Sequence, residues 1–309
     1  MGTHIESIAT AAYRGRRLGR GALRLSDRAA RRCLRRGHHR ADELDLLINA
    51  GLYKDHNVAE PALAALIQED VGANPGHPPR RDHHGTFSFD VLNGACGVLT
   101  AVQLIDGMVG PGAAQLGLVV AADADPMPHT SHGFPFAAVG GALLLAHGDD
   151  DDGFQGVTLR TFAEDADLFE ADLRWAPHAG LTRRGRNLFE VREAPAFGAR
   201  CVVHAVDVAR DHLDRGGLRP ADVDLLIASP YPRGFAAAVA VALGLGTDRL
   251  PPPIDPALTP AHTAGPIAAL DAAAMSGQLA RARHVLLVSA GAGITVGVAL
   301  YRRPAGAAA

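Results

Sequence analysis

Two distant segments of the chain follow one pattern, and this internal repeat constrains the fold more than any other feature. Residues 27–48 align without a gap with residues 206–227. Each copy predicts a helix, a turn that contains glycine and a short buried strand. Glycine, arginine and the apolar run keep the same spacing in both copies, which favours a duplication over two generic α/β units of similar patterning. The matching residues are Arg31 and Arg210, Leu34 and Leu213, Gly37 and Gly216, Arg40 and Arg219, and Asp-Leu-Leu-Ile at 45–48 and 224–227.

A second pair of segments follows in the same order. Residues 95–97 and residues 261–263 each open a helical pattern that leads into an apolar strand. The pairing predicts that Cys96 and His262 hold matching places in the two halves. Because matching helix N-termini can face each other across a pseudo-two-fold axis, a cysteine and a histidine far apart in sequence are expected to meet.

Short apolar runs separated by helical stretches predict an α/β protein with a largely parallel sheet covered on both faces. We expect two halves, 1–150 with the cysteine and 151–309 with the histidine, that divide at the acidic loop 148–153. The stretch 161–199 is less regular and more charged, so it is interpreted as a surface excursion lining an entrance. The predicted strands are 46–48, 118–122, 143–146, 225–227 and 285–288.

Composition limits the functional classes. The 309 residues are 48% hydrophobic and 20% charged, as expected for a soluble globular protein long enough for two domains. A net charge of −3 argues against nucleic acid or an anionic membrane as the main partner, and the basic run 14–40 is interpreted as a solvated helix face. Three widely spaced cysteines, Cys33, Cys96 and Cys201, indicate a reducing cytoplasm without disulfides or zinc. No apolar stretch approaches the ~18 residues of a membrane span.

Cys96 is the candidate nucleophile. It stands where an apolar run gives way to small residues and a helix begins. The positive end of the helix dipole is expected to lower the pKa of the thiol and favour the thiolate, which is the reactive form. The alternative is a buried structural cysteine, the usual fate of a free thiol.

Three segments carry a resemblance to a known family. The segments 89–97, 118–123 and 288–297 resemble the nucleophilic-cysteine segment, the following strand and the glycine-rich turn of the thiolase-fold condensing enzymes, most closely the β-ketoacyl-acyl-carrier-protein synthase III branch. The resemblance implies a thiolase-like duplicated αβαβα layered fold and a homodimer. It also implies that Cys96 accepts an acyl group from coenzyme A or a carrier protein, with no permanently bound cofactor.

The resemblance is incomplete in the second half. The family's histidine after strand 225–227 is absent, and His262 replaces the asparagine of the later helix-opening turn. A histidine–asparagine pair normally assists malonyl decarboxylation, so the resemblance does not extend to that step. His262 is predicted to shuttle a proton between the thiol, the acceptor and the leaving thiolate. The alternative is a core histidine bonded to the backbone.

Further site residues are predicted around this pair. Glu60 resembles the glutamate proposed to remove an α-proton in relatives that join two acyl chains, in a segment that reaches the partner subunit's site; a helix-capping role is the alternative. Backbone N–H groups at Cys96 and in the turn Gly291, Ala292 and Gly293 are predicted to bind the oxyanion. Ser229, in the segment after strand 225–227, is included among the substrate-binding residues.

The remaining histidines argue against a metal site. His83, His84, His129 and His132 flank loops without a standard ligand spacing and without an accompanying cysteine. The leading hypothesis is therefore a cytoplasmic, cysteine-dependent acyltransferase or condensing enzyme of fatty-acid-like or specialised metabolism. An O- or N-acyltransferase and a non-catalytic partner subunit of an active condensing enzyme are the alternatives, the last of them requiring a heterodimer.

Overall fold

A computed structural model describes residues 2–13, 21–57, 60–73, 85–127, 134–148, 152–176 and 186–303. The strands are β1 Gly2–Ala12, β2 Leu46–Asn49, β3 Phe87–Asp90, β4 Leu116–Asp123, β5 Val139–Gly148, β6 Gly153–Thr161, β7 Phe169–Ala176, β8 Arg186–Glu193, β9 Leu225–Ala228, β10 His284–Gly291 and β11 Thr295–Arg302. The helices are α1 Ala22–Arg36, α2 Leu63–Val71, α3 Gly97–Val109, α4 Phe197–Arg215, α5 Phe235–Leu243, α6 Gly265–Met275 and α7 Gln278–Arg281.

The helices and sheets stack in five layers. Helices α1 and α2 cover the outer face of the sheet β1-β5-β4-β2-β3. Helices α3 and α6 lie between that sheet and the sheet β6-β11-β10-β9, where their apolar side chains form the largest core. Helices α4 and α5 cover the outer face of the second sheet. The chain passes from the first sheet to the second between Gly148 and Gly153.

Both sheets are mixed, so the prediction of a largely parallel sheet is wrong. Strands β2, β3 and β4 run parallel, as do β9 and β10. The β4–β5 and β10–β11 pairs are antiparallel. Strand β5 also pairs antiparallel with the edge strand β1, and β11 pairs antiparallel with the edge strand β6. A buried antiparallel strand is as continuously apolar as a parallel one when helices cover both of its faces, so the apolar runs did not distinguish the two.

The first repeat is confirmed down to individual hydrogen bonds. Helices α1 and α4 each end at a glycine with the same backbone conformation, Gly37 and Gly216. Asp45 Oδ2 accepts from two successive N–H groups at the start of β4, and Asp224 Oδ2 accepts from two at the start of β10. The shared residues therefore hold the same helix–strand unit in each half.

The second repeat is real, but the predicted register is wrong by two residues. Strand β4 begins nineteen residues after α3 begins, from 97 to 116, and β10 begins nineteen after α6, from 265 to 284. Cys96 therefore matches Ala264, and His262 matches Gly94. Each helix begins at a glycine because a side chain there has no room: a Cβ would lie 2.9 Å from Ala50 O in one half and 2.6 Å from Pro230 Cδ in the other.

The segment 161–199 is more regular than predicted. Strands β7 and β8 form a separate two-stranded antiparallel sheet, with Phe169 opposite Glu193 and Ala176 opposite Arg186. Apolar and charged residues alternate along β7, which is the period-2 signal of a strand. Within the described ranges, no helix is both long and apolar enough to cross a membrane.

Candidate active site

Cys96 lies where the two halves meet. It ends the short 3-10 helix Gly94–Cys96 and is the N-cap residue of α3, as the sequence predicted. The side chain is fully buried. Its Sγ donates to carbonyl oxygens of the opposite half, at 3.3 Å from Thr295 O and 3.6 Å from Ser289 O.

The predicted thiolate is wrong for this resting state. Burial, against an opposing backbone hydrogen bond from Gly297 and with a smaller contribution from the Cys201 thiol, raises the pKa of the Cys96 thiol to about 12. The helix N-terminus does not overcome the cost of a charge in a dry, apolar environment. Two carbonyl acceptors also suit S–H rather than S⁻. Cys96 is therefore a neutral thiol until something removes its proton.

His262 lies in the turn before α6 and is almost fully buried. Its Nδ1 and the hydroxyl of Tyr53 share a hydrogen bond across 2.9 Å. Burial lowers the pKa of the imidazole, although Asp123 opposes the shift, and it raises the pKa of Tyr53 well above its usual value. The histidine is accordingly a neutral imidazole held by a protonated phenol.

Aromatic rings fix the plane of the imidazole. Phe136 stacks on His262 with ring centres 4.6 Å apart and planes 10° from parallel. Tyr231 meets the imidazole edge-on at 5.8 Å, and Phe134 packs edge-on against Tyr53 at 4.9 Å. Such packing leaves the ring one orientation, so only Nε2 remains to act on a substrate.

The 3-10 helix Gly94–Cys96, here called the cysteine turn, faces residues 262–264 before α6, the histidine turn, across the interface between the two halves. A Cβ on Gly94, two residues before Cys96, would lie 3.8 Å from His262 Nε2. Gly94 and His262 are the residues that the duplication makes equivalent, so they meet near its axis. In this state the Cys96 thiol is hydrogen-bonded to the β10–β11 hairpin, while His262 lies against the start of the same 3-10 helix.

Asp123 was missed by the sequence interpretation and organises the histidine turn. This fully buried carboxylate at the end of β4 accepts from the backbone N–H groups of His262, Thr263 and Ala264 at 2.6–3.2 Å, and from the Thr263 hydroxyl at 2.6 Å. It thereby caps α6 from the other half of the molecule. An acidic residue ending an apolar strand was the available signal.

The predicted oxyanion residues of the second half lie at the end of β10 and in the turn that follows it. Gly291 ends β10 against the cysteine turn, where its Cβ would lie 3.3 Å from Ala95 Cβ. Ala292 is exposed at the tip of the β10–β11 turn, and Gly293 has a positive φ of 116°. The Cys96 N–H already donates to Asn93 O at 2.9 Å, so it is engaged within the 3-10 helix.

Ser229 lies in the same region with an unused hydroxyl. The residue is 1% exposed, and its backbone N–H donates to Val288 O. Among the described residues its Oγ has no hydrogen-bond partner. A buried hydroxyl in this state costs free energy unless a ligand or water completes it.

Glu60 stands apart from these residues in the single chain. It is exposed, and α2 begins three residues later at Leu63. The capping alternative fails, because Asp90 accepts the N–H groups of Leu63 and Ala64 at 3.0 and 2.8 Å. A role at a partner's site stays a prediction.

A metal centre has no support within the described ranges, which contain no group of three or more potential ligands. His83, His84, His129 and His132 lie outside those ranges.

Comparisons with known proteins agree on one family. A family model for the C-terminal part of 3-oxoacyl-[acyl-carrier-protein] synthase III matches residues 213–303. The chain is 26% identical to β-ketoacyl-[acyl-carrier-protein] synthase III of Aquifex aeolicus over 285 residues, covering 90% of this chain and 83% of that protein. For the Acidiphilium cryptum protein of the same name, identity is 27% over 283 residues, with coverages of 89% and 82%.

Solved structures share the fold along the whole chain. The 3-oxoacyl-(acyl carrier protein) synthase III of Pseudomonas aeruginosa superposes with a TM-score of 0.78 at 20% identity, covering 99% of each chain. Cerulenin-bound OleA of Xanthomonas campestris gives 0.74 at 15% identity, covering 98% of this chain and 97% of that one. The predicted duplicated αβαβα fold is thus confirmed.

Proposed function

Because this chain is a thiolase-fold protein of the β-ketoacyl-acyl-carrier-protein synthase III-like branch, we propose that it transfers acyl groups through a thioester on Cys96. The supporting observation is the placement of Cys96 at the start of α3, where the turn that holds His262 meets it from the other half. A nucleophile, a proton carrier and a glycine turn at one interface match the needs of thioester exchange.

In the proposed reaction, Cys96 Sγ attacks the carbonyl carbon of an acyl thioester. The new C–S bond forms as the bond to the donor sulfur breaks, and the Cys96 proton passes through His262 Nε2 to the leaving thiolate. The N–H of Ala292 stabilises the carbonyl oxygen when it becomes negative, a contribution worth ~10²–10³ in rate for one such donor. Ser229 offers its unused hydroxyl to the substrate.

The second half-reaction passes the acyl group to an acceptor. With one imidazole in the site, proton removal from an acceptor hydroxyl, amine or activated carbon is the step that His262 can perform. We propose Glu60 as a further base for a carbon acceptor, delivered to the partner subunit's site. Malonyl decarboxylation is not part of this proposal.

The proposed assembly is a homodimer. Strand β3 is one edge of its sheet; Phe87 at its start and Leu92 just after its end are 61% and 54% exposed. An apolar open edge is a strong candidate for pairing with a second copy. A partner on that edge would also cover α2 and the neighbouring Glu60.

Intact-mass analysis after incubation with acyl-CoA or acyl-carrier-protein donors tests the function. One acyl group is expected on the wild type and on Cys201→Ala, a second fully buried thiol, and none on Cys96→Ala. Absence of acylation of Cys96 across short, medium and long donors overturns the proposal.

The alternative of a non-catalytic subunit is favoured by one observation, the complete burial of the resting Cys96 thiol. The non-catalytic alternative predicts an obligate heterodimer whose activity survives Cys96→Ala.

A further inference from the structure

A cavity lies between the two halves at the opposite end of α6 from the histidine turn. Its volume is about 380 Å³, and it is lined by β1, α7, the ends of α1 and α6 and the end of β11. The eleven residues of α6 span about 16 Å from the histidine turn to Met275 at the cavity. The cavity is therefore separate from the candidate active site, and its size is that of a small-molecule site.

One wall of the cavity is apolar. Ile5 and Ile8 of β1 and Leu279 of α7 line it and belong to the edge of the main core. From Ile5 to Ile8 the wall extends about 10 Å along the strand, which is the length of a medium alkyl chain. Met275 lies at the rim and is 73% exposed. A hydrocarbon chain in the cavity would cover this side chain and gain free energy from its burial.

The acidic groups of the cavity already have partners. Asp271 accepts from Arg36 at 2.7 Å and from Thr10 at 2.6 Å. Glu6 shares a hydrogen bond of 3.0 Å with the Nε2 atom of His4. Neither carboxylate needs a cation from a ligand to complete its hydrogen bonds.

Two donors at the end of β11 are only partly used. Arg303 donates to Leu279 O at 2.9 Å, which holds its guanidinium at the cavity wall. No carboxylate of the described residues forms an ion pair with Arg303. Tyr301 is 6% exposed, and its hydroxyl accepts from the Ile5 N–H at 3.1 Å but donates to none of the described residues.

The Tyr301 phenol is a donor at neutral pH. Burial raises the pKa of this phenol, although the Ile5 N–H and the nearby Arg303 guanidinium oppose the shift. The proton therefore stays on the hydroxyl, close to the guanidinium. A carboxylate has two oxygens, so it can accept from both groups at once.

Irregularities in both sheets flank the cavity. The register of β1 against β5 shifts between Ile5 and Ser7, and the register of β11 against β6 shifts between Ala299 and Tyr301. Such bulges redirect side chains and are frequent beside functional sites. The two shifts meet at the hydrogen bond between Ile5 and Tyr301, where the partly used donors lie.

We propose that this cavity binds a medium-chain carboxylate, whose head group bonds to Arg303 and Tyr301 and whose alkyl chain lies along the apolar wall. Because Glu6 adds a negative charge to the same cavity, Arg303 suits a single negative charge better than a phosphate dianion. Hydrolysis of an acyl thioester releases an acid of this class, but the inference does not depend on acylation of Cys96.

Calorimetry with decanoate, below its micelle concentration, tests the site in the full-length protein. Arg303→Gln removes the charge, and Tyr301→Phe removes the second donor while keeping the ring. The matched control is Arg283→Gln, because Arg283 is an exposed arginine just before β10 that does not line the cavity. Decanol, decyl phosphate and decylammonium carry the same chain with a different head group.

The expected losses follow the strength of each lost bond. Arg303→Gln is expected to weaken decanoate binding by about tenfold or more, and Tyr301→Phe by about threefold. Arg283→Gln should change it by less than about twofold. Decanol should bind the wild type and Arg303→Gln equally, which also shows that the variant keeps an intact cavity.

Four results overturn the proposal. They are no decanoate binding by the wild type at millimolar concentration, equal decanoate binding by the wild type and Arg303→Gln, equal losses in Arg303→Gln and Arg283→Gln, and tighter binding of decyl phosphate or decylammonium than of decanoate. If Arg303→Gln loses decanol as well, its fold is damaged and Tyr301→Phe decides. Unchanged decanoate binding by Tyr301→Phe then overturns the proposal, and a loss of about threefold with decanol binding retained supports it.

Discussion

The ends of strands β4 and β10 occupy equivalent places in the two halves but carry opposite chemistry. Asp123 ends β4 and places a carboxylate against the start of α6. Gly291 ends β10 and lies against the start of α3, next to Cys96. The start of α6 thus faces a carboxylate from the end of β4, whereas the start of α3 faces a residue without a side chain at the end of β10.

This difference assigns the two helix starts separate tasks. The positive end of α6 is neutralised, and its turn serves to hold a neutral His262 in a fixed orientation. Under the proposed function, the positive end of α3 serves the negative charge that develops during acyl transfer at Cys96. Under this proposal, the residue at each strand end distinguishes the two similar sites, with Asp123 at the scaffold and Gly291 at the reaction centre.

Placing an acid at Gly291 should break the distinction with the largest effect. Gly291→Asp puts a carboxylate near Cys96, whereas Gly291→Asn adds a side chain of the same size without charge. Both crowd Ala95, so the charge effect is the difference between them. We expect acylation to fall at least about tenfold further in the aspartate variant, as one misplaced charge at such a site costs several kcal/mol. Equal rates by stopped-flow or quenched mass analysis would show that charge at this position is irrelevant.

Removing the carboxylate from β4 should act mainly on stability. Asp123→Asn keeps the size but turns one acceptor into a donor facing buried N–H groups. We expect a loss of about 2–3 kcal/mol in the free energy of unfolding, measured with urea. A change below about 0.5 kcal/mol would mean that the α6 start does not depend on its cap.

The repeated helices allow a second comparison of this kind. Arg36 of α1 bonds Asp271 of α6 at 2.7 Å, a partly buried pair that joins the two halves, and Thr10 donates to the same carboxylate at 2.6 Å. The residue of α4 that matches Arg36 is Arg215, which is exposed and pairs with Asp211 of the same helix. We expect Asp271→Asn to cost about 1.5–2 kcal/mol and Arg215→Gln less than about 0.5 kcal/mol. Equal urea midpoints for both variants would contradict this difference.

Asp27 provides the smallest predicted effect, and one that depends on pH. Burial, followed by a hydrogen bond to Asp70, raises the pKa of Asp27 to about 7, whereas the matching residue of α4 is the apolar Val206. Since the folded pKa is raised, the wild type is favoured at low pH and loses stability between about pH 4 and pH 7. Asp27→Val should remove this loss, which solvent screening of the partly covered carboxyl reduces to about 1–2 kcal/mol. Parallel stability profiles for the two proteins across that range would refute the assignment.

Local signals predicted local structure well. Gly37 and Gly216 mark the helix ends, and Asp45 and Asp224 precede the strands, because each of these features is set within a few residues. The thiolate prediction for Cys96 failed because a helix dipole is visible in sequence whereas complete burial is not.

The remaining errors have the same origin. The match of Cys96 with His262 was displaced by two residues because packing of Gly97 and Gly265 against distant chain fixes where each helix begins. Tyr53 follows the end of β2, and Asp123 ends β4. Both bond to the histidine turn, although no spacing in the sequence connects them to it. Tertiary contacts, rather than local patterns, complete the site.

A crystal structure of the protein after reaction with an acyl thioester would test the division between the two helix starts most directly. The expected result is an acyl group on Cys96 Sγ, its carbonyl oxygen within hydrogen-bond distance of Ala292 N–H, and Asp123 still capping the His262 turn. An acyl group on another residue, or a carbonyl oxygen directed away from the β10–β11 turn, would contradict it.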